Sequence, residues 1–579
     1  MDVKSHESLS VRLSRMSWRY AAAVCLLFIS TLAQATEKRF QPADPVSSPQ
    51  QYRIEIDVNY HAASFTGREV VRFSNRTNHD LESINFHLYP NVGLGENDTQ
   101  WLTVKRVKAG QHILRSSLKC RGAVLKVDLP IKLEAGKTLE LTLDFEATLP
   151  RVQREETSLL AHFLQEVNDA VSDDRQPRDA RDIFFAGEQA MLLGYFYPML
   201  ATRQVLSSDY SLTAGGGGVV FSDVADYEVK VKADDDLIIT ASGINTASKP
   251  VVSSSTTSRQ EHTYRGEKLR GFALILGEGL KTVEKRAGNT RIVSYFREGD
   301  ERVGKRMLEI AGRAVEVYTT AFGEYPYPLL NVIELPLSAG YSGIDFPGMM
   351  ALAQAYYIDF ETPQAARLPG IIREQADLIE AALEFTLAHG TAHQWWGGAV
   401  GSDPQRAPYV DEALANYSAA YYYEAAYGRT AGETAIEQQL RAPYQAYRLL
   451  GGVDMEVDKS AKEFHSSLQY TAIVQAKGSL LFAALRKEMG DEAFFNALRF
   501  YYQSRRFQIV SPDNLRSTFL VGAANQNTVK SLFQRWIKEK HGDEDIGVSD
   551  LALSTPQGSK ARTLGRLFAR IGRTAARPF

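Results

Sequence analysis

His389 and His393 stand four residues apart in the run from Thr386 to Glu412, and Glu412 follows His393 after eighteen intervening residues. On an α-helix an offset of four puts two side chains one above the other on a single face. Two imidazoles so placed are half of a tetrahedral zinc site. The gap allows the first helix to end at the Gly397-Gly398 pair and the chain to cross a loop through Pro404 and Pro408. A second helix can then begin, and a carboxylate near its start can point back at the imidazoles and supply a third ligand. A histidine pair at this spacing also arises by chance on ordinary helices. Glu412, at its distance, separates the metal reading from the bland one.

A chain of 579 residues implies several domains, each large enough to bury its own core. The net charge of −3 offers no electrostatic case for nucleic acid as a partner. The first 35 residues read as a secretory signal: Arg12, Arg15 and Arg19 precede an apolar stretch from Tyr20 to Leu32, and Ala33-Gln34-Ala35 offers cleavage before Thr36. The alternative is an N-terminal anchor, for which the stretch is short. Met16 is an alternative start, and Cys25 has no lipobox before it. Cleavage leaves Cys120 as the one cysteine, so no intramolecular disulfide is expected. The expectation is an exported protein, periplasmic or extracellular, with no membrane span after its N-terminus.

From Tyr52 to about Thr290 the pattern has a period of two. Tyr52, Ile54, Ile56, Val58 and Tyr60 alternate with polar residues, as do Ile84, Phe86 and Leu88, then Leu139 to Phe145, then Tyr227, Val229 and Val231. Such alternation predicts antiparallel sheets in a large β-sandwich. Arg151 to Arg181 predicts a surface helix and loop within it. The glycines from Gly215 to Gly218 lack a following Gly-Lys-Ser/Thr and read as a turn rather than a phosphate loop. After Arg291 the period changes. Glu301 to Phe322 predicts a helix with Met307, Ile310, Ala314 and Val317 on one side, and Asn331 to Pro336 predicts a strand. Ala339 to Gly348 reads as a Gly-rich loop before the apolar run Met349 to Ala353. Helices follow to about Lys540. The tail from Lys560 to Phe579 has six basic residues and no acidic one, with five arginines on one helical face. It predicts a basic amphipathic helix suited to a membrane surface or a protein partner, or else a frayed terminus.

These residues together resemble the gluzincin zinc aminopeptidases of the membrane alanyl aminopeptidase and leukotriene hydrolase family. The likeness rests on Phe86-His-Leu-Tyr-Pro-Asn, a degenerate Gly-Ala-Met-Glu-Asn loop near Asp345, the histidine helix, and Asp411-Glu-Ala-Leu-Ala-Asn-Tyr. Lys477-Gly-Ser-Leu-Leu and Met489-Gly-Asp-Glu-Ala-Phe-Phe extend it. The resemblance implies an α+β multidomain chain: a signal peptide (1–35), a saddle-like antiparallel β-sandwich (36–290), a thermolysin-like, mostly helical metallopeptidase domain (291–545) and the basic tail (546–579). It implies one zinc ion on His389, His393 and Glu412, with Asn416 as a supporting group. It places substrate contacts at Gly343 and Asp345, and near Glu188 or Gln189.

The departures from the family fall on the chemistry. The general base aligns with Gly390 and the oxyanion tyrosine with Gln475; no catalytic group is intact at either place. Tyr470 is out of phase with Gln475, and Glu384 lies more than a turn upstream of His389. A general base is typically worth ~10²–10⁴ in rate, and one oxyanion donor roughly 10²–10³. Three readings follow. The preferred one is a pseudopeptidase that binds a peptide or a protein N-terminus. The second is an active zinc aminopeptidase or other hydrolase with a base from outside the motif. The third is a structural or membrane-surface protein with a relic site.

Overall fold

The computed structural model describes residues 50–547 apart from 96, 172–179, 203–217, 219, 252–257 and 364, together with residues 577 and 578. The signal-like segment, the glycines at 215–217 and the tail up to residue 576 lie outside the described residues, as do residue 579 and any helix expected over Lys560–Phe579. Among the described residues no helix is long and apolar enough to cross a membrane.

The β-rich portion comes first, and period-two burial builds it. In Gln50–Asn59 the residues Tyr52, Ile54, Ile56 and Val58 are buried and their neighbours face out. This strand lies inside an eight-stranded sheet ordered Ile244–Val251, Arg259–Leu269, Ala225–Asp234, Gln50–Asn59, Ser64–Ser74, Thr138–Thr148, Leu102–Ala109, His112–Ile113. Two four-stranded sheets complete this part. One contains Leu237–Ala241, Ala273–Glu278, Ala190–Gly194 and Phe184–Ala186; the other contains Met199–Leu200, Leu81–His87, Val124–Leu133 and Ser116–Lys119.

The large sheet is not wholly antiparallel. Gln50–Asn59 pairs in parallel with Ala225–Asp234, in the register Tyr52↔Tyr227 and Ile54↔Val229. A parallel pair needs a long crossover, and the chain between these strands, which makes much of the other two sheets, supplies it. Alternation in sequence reports which face is buried and carries no information on strand direction. Helix Leu159–Val171 interrupts the β portion as expected, but its His162 is buried and sits edge-on to Tyr356.

A six-stranded sheet follows in the order Lys281–Ala287, Thr290–Phe296, Leu329–Leu335, Met349–Ala353, Tyr341–Phe346, Arg577–Pro578. Helix Glu301–Phe322 packs on it through Met307, Ile310, Ala311 and Ala314. The stretch expected to be a Gly-rich loop is a strand: Tyr341–Phe346 pairs antiparallel with Met349–Ala353, turning at Pro347-Gly348. Gly348 sits at φ +72°, where glycine carries no Cβ penalty. The remainder is helical.

Candidate metal centre and adjoining cavity

The two ligand helices are Ala376–His393 and Tyr409–Tyr427. The first is buried continuously from Leu383 to His393, which explains its lack of an amphipathic pattern. It stops at His393, short of the glycine pair. The chain then closes on itself through Gly398 N–H to the His393 carbonyl (2.9 Å), and Gly397 adopts φ +101°. The Tyr318 hydroxyl, from the helix Glu301–Phe322, reaches the carbonyls of both Ala388 (3.0 Å) and Ser418 (3.1 Å). The Trp396 indole donates to Ser418 Oγ (3.1 Å). The ligand helices are therefore fixed relative to each other by buried hydrogen bonds as well as by packing.

This fixes three donors together. His389 Nε2 and His393 Nε2 are 2.9 Å apart, and Glu412 Oε2 is 3.8 Å from each. All three side chains are buried. The second nitrogen of His393, Nδ1, is 2.9 Å from the Trp396 carbonyl, the kind of contact that sets the tautomer of a metal-binding imidazole. A tetrahedral zinc with bonds near 2.0–2.1 Å holds its donors about 3.3 Å apart. Shifts of roughly half an ångström bring the present donors to that geometry, and their chemistry, two imidazoles and a carboxylate, suits zinc. The residues fit the ion.

The field around the donors also suits a cation. Burial pulls His389 down to about 3, with His393 adding to the effect. Burial opposes charge on His393 too, yet Asp345, Glu412 and Asp411 outweigh it and hold that imidazole at about 10. Burial pushes the Asp345 carboxyl up to about 7 and Asp411 up to about 6, each raised further by Glu412. Carboxylates that retain a proton on a buried imidazole also attract a metal cation.

A cavity of about 100 Å³ opens on this centre, bounded by His393, Glu412, Asp411, Asp345, Arg270 and Tyr195 among others. Asp345 therefore lies where a carboxylate could meet a ligand. Gly343 is on the same strand, and its Cβ position is taken by the Met350 methyl (2.5 Å) and Thr386 Cγ2 (2.7 Å). Glu188 and Gln189 are elsewhere. They line a second, smaller cavity with Arg154, Arg297 and Glu334, apart from the metal-type centre.

The two departures have structural counterparts. At Gly390 a Cβ would overlap the Met350 sulfur and lie 2.6 Å from its methyl, so methionine occupies the space a side chain at 390 would enter. Met350 is opposite Asp345 in the hairpin and is 1% exposed. Gln475 lies in a π-helical stretch, Thr471–Lys477, and its amide donates to Glu412 Oε2 (2.9 Å). Asn416 donates to the Gln475 carbonyl (2.8 Å) and Ser479 donates to the same oxygen. Wide turns of this kind recur at functional sites.

Glu384 is engaged away from the site: it accepts from Tyr422 (2.9 Å) and Tyr427 (2.6 Å). Tyr470 packs edge-on against Phe464 and does not line the cavity.

Sequence reasoning missed Met350, Asp411 and Arg270. Met350 sat in an apolar run that gave no sign of its direction. Asp411 is adjacent to Glu412 but faces the cavity beside Gly397, whose Cβ position is 3.4 Å from Asp411 Oδ2. Arg270 is buried and donates to the carbonyls of Ser222 (2.8 Å), Gly398 (2.8 Å) and Gln508 (2.6 Å), riveting the β portion to the helical portion.

Residues 307–536 match the family profile described as the peptidase family M1 domain. Aminopeptidase N of Lactococcus lactis subsp. lactis is 28% identical over 239 residues, 40% of this chain and 26% of that protein. Aminopeptidase M1-A of Oryza sativa subsp. japonica is 21% identical over 252 residues, 43% of this chain and 27% of its own length. The chain thus aligns with about a quarter of each of these relatives. Among solved structures, an M1 zinc metallopeptidase from Deinococcus radiodurans superposes with a TM-score of 0.55 at 17% identity, covering 85% of this chain and 94% of the other. A mutant of that enzyme was solved with a Tyr-Ser-Ala substrate bound.

Proposed function

We propose that this chain, whose residues 307–536 match the M1 peptidase domain, is an aminopeptidase-like zinc protein that holds its metal and binds a peptide or protein N-terminus without hydrolysing it efficiently. In this reading the helical part is thermolysin-like and sits behind a saddle-like β part. His389, His393 and Glu412 hold one zinc ion, and Asp345 meets the ligand's amine. Bound zinc would supply Lewis acidity and a more acidic bound water.

One observation carries the reading: the Met350 thioether overlaps the Cβ position at 390, so a base side chain there must displace it. Gln475 adds to it, since it stands where the family has a tyrosine and commits one amide N–H to Glu412. Position 390 carries no proton acceptor and position 475 no tyrosine hydroxyl. The relative with a bound tripeptide supports a peptide as the ligand class.

A second reading, an active hydrolase with an unusual base, is favoured by Asp345 and Asp411, two carboxylates that line the same cavity. Steady-state assays on aminoacyl and short-peptide substrates separate the two. Negligible turnover by metal-loaded protein that still binds peptide supports the first. Ordinary turnover abolished by His393→Ala establishes the second. The signal-like residues from Arg12 to Ala35 further place the protein, in our reading, outside the cytoplasm.

A further inference from the structure

The helix Ala442–Leu449 runs out into the corner Leu450-Gly451-Gly452-Val453. Leu449 is 78%, Leu450 47% and Val453 66% exposed. Single exposed apolar residues are ordinary on a protein surface, whereas three within five positions form a patch. Their exposure is built in. The Tyr447 hydroxyl accepts from the Val453 N–H (3.0 Å) and donates to the Val453 carbonyl (3.1 Å). Gly452 N–H donates to the Tyr447 carbonyl (3.0 Å), and Arg448 donates to the Gly452 carbonyl. Any side chain at 452 would run into the Tyr447 ring, and Gly451 takes φ +89°. The corner is pinned to its own helix with its apolar side chains turned to solvent.

We propose that this corner is a membrane-contact site: Leu449, Leu450 and Val453 enter the interface of an anionic phospholipid bilayer, and the basic sequence beyond Gly547 adds electrostatic attraction to the same surface. The proposal goes beyond the function proposed above and does not depend on whether hydrolysis remains.

Position and charge select lipid as the occupant. The Gly547 carbonyl accepts from Gln445, and the Ile546 carbonyl beside it from Arg441. Gln445 lies on the helix that ends at the corner, so the chain passes beyond Gly547 close to the apolar patch. The sequence after Gly547 carries six basic residues, all from Lys560 on, against one acid, Asp550. Each such cation near an anionic surface adds attraction. The acids beside the corner are already neutralised: Asp543 pairs with Arg448 (2.7 Å), and Glu544 and Asp545 pair with Arg535 (2.8 and 2.7 Å). Firm attachment to a bilayer surface takes two signals, one apolar and one basic. Here both belong to one region of the chain.

The test places a polarity-sensitive fluorophore on Val453→Cys in the full chain, in a Cys25→Ser, Cys120→Ser background. Ile131→Cys in the same background is the control, because Ile131 is 84% exposed on the β portion, away from the corner. Each labelled chain is titrated with vesicles of phosphatidylcholine alone and of phosphatidylcholine mixed with phosphatidylglycerol. The expected result is a blue shift at position 453 on the mixed vesicles and none at position 131. The vesicle affinity read from that shift is expected to be roughly tenfold or more lower on phosphatidylcholine alone, and to fall with added salt. No shift at 453, an equal shift at both positions, or equal affinity for the two kinds of vesicle overturns the proposal. A shift at 453 that grows with protein concentration in the absence of vesicles, together with a dimer in sedimentation, assigns the corner to a second copy of the chain and overturns it as well.

Discussion

Met350 and Gly390 are complementary: the thioether of one lies in the volume that any side chain on the other would need. Gly343 completes the arrangement, since the Met350 methyl is 2.5 Å from its Cβ position. Two glycines on different elements thus make room for one methionine. The missing base and its replacement are a single packing solution.

Restoring the base therefore has to displace the thioether end of Met350. Gly390→Glu alone is expected to overpack the site, costing about 1–3 kcal/mol of stability, with no gain in hydrolysis. Gly390→Glu with Met350→Ala and Gln475→Tyr is expected to raise peptide hydrolysis by at least ~10²-fold, the lower bound for one recovered catalytic group. Thermal melts and steady-state kinetics on the two variants and the unaltered protein read both effects.

Gln475 holds Glu412 in place. Its amide donates to Glu412 Oε2 at 2.9 Å. Gln475→Ala is expected to weaken zinc binding ~10–100-fold, the usual effect of removing a group that orients a ligand. Competition with a chromophoric chelator measures it; unchanged affinity would assign Gln475 to packing alone.

Arg270 holds two parts of the fold together through backbone carbonyls in both. Arg270→Ala leaves those buried carbonyls without donors and is expected to cost roughly 3–5 kcal/mol, read as a lowered denaturant midpoint.

Stability is expected to fall between about pH 5 and pH 8 through Glu334. Burial, reinforced by Asp300, pushes this carboxyl up to about 8. The folded state therefore binds a proton in a range where the unfolded chain has lost it. The stabilisation is complete below the unfolded value, near 4.5, and is lost as pH rises through the folded one. Glu334→Gln retains an acceptor for the Arg297 N–H, which donates to Glu334 at 2.9 Å. The variant is expected to lose less stability over this window, by roughly 1–4 kcal/mol. Parallel denaturant curves at pH 5 and pH 8 test it.

Much of this was legible in the sequence because periodicity reports burial. The alternating strands and the helix Glu301–Phe322 follow from it directly. The gathering of His389, His393 and Glu412 follows from helical spacing and one gap length. What stayed hidden depends on contacts between distant segments. The parallel pairing of Gln50–Asn59 with Ala225–Asp234 leaves no local mark. Tyr341–Phe346 reads as a loop because Gly343 within it, with Gly340, Pro347 and Gly348 beside it, masks a strand whose other residues pack inward. The role of Met350 could not be read from its own neighbours, because Gly390 lies on a helix forty residues away.

The central claim is that the protein grips zinc yet lacks a group to move the water's proton. It is tested most directly by measuring peptide turnover on a preparation whose zinc content is determined in the same sample. The account predicts one zinc per chain, lost in His393→Ala, with turnover at least ~10⁴-fold below that of an enzyme with both groups in place. Zinc at one per chain with ordinary turnover, abolished by His393→Ala, would contradict it.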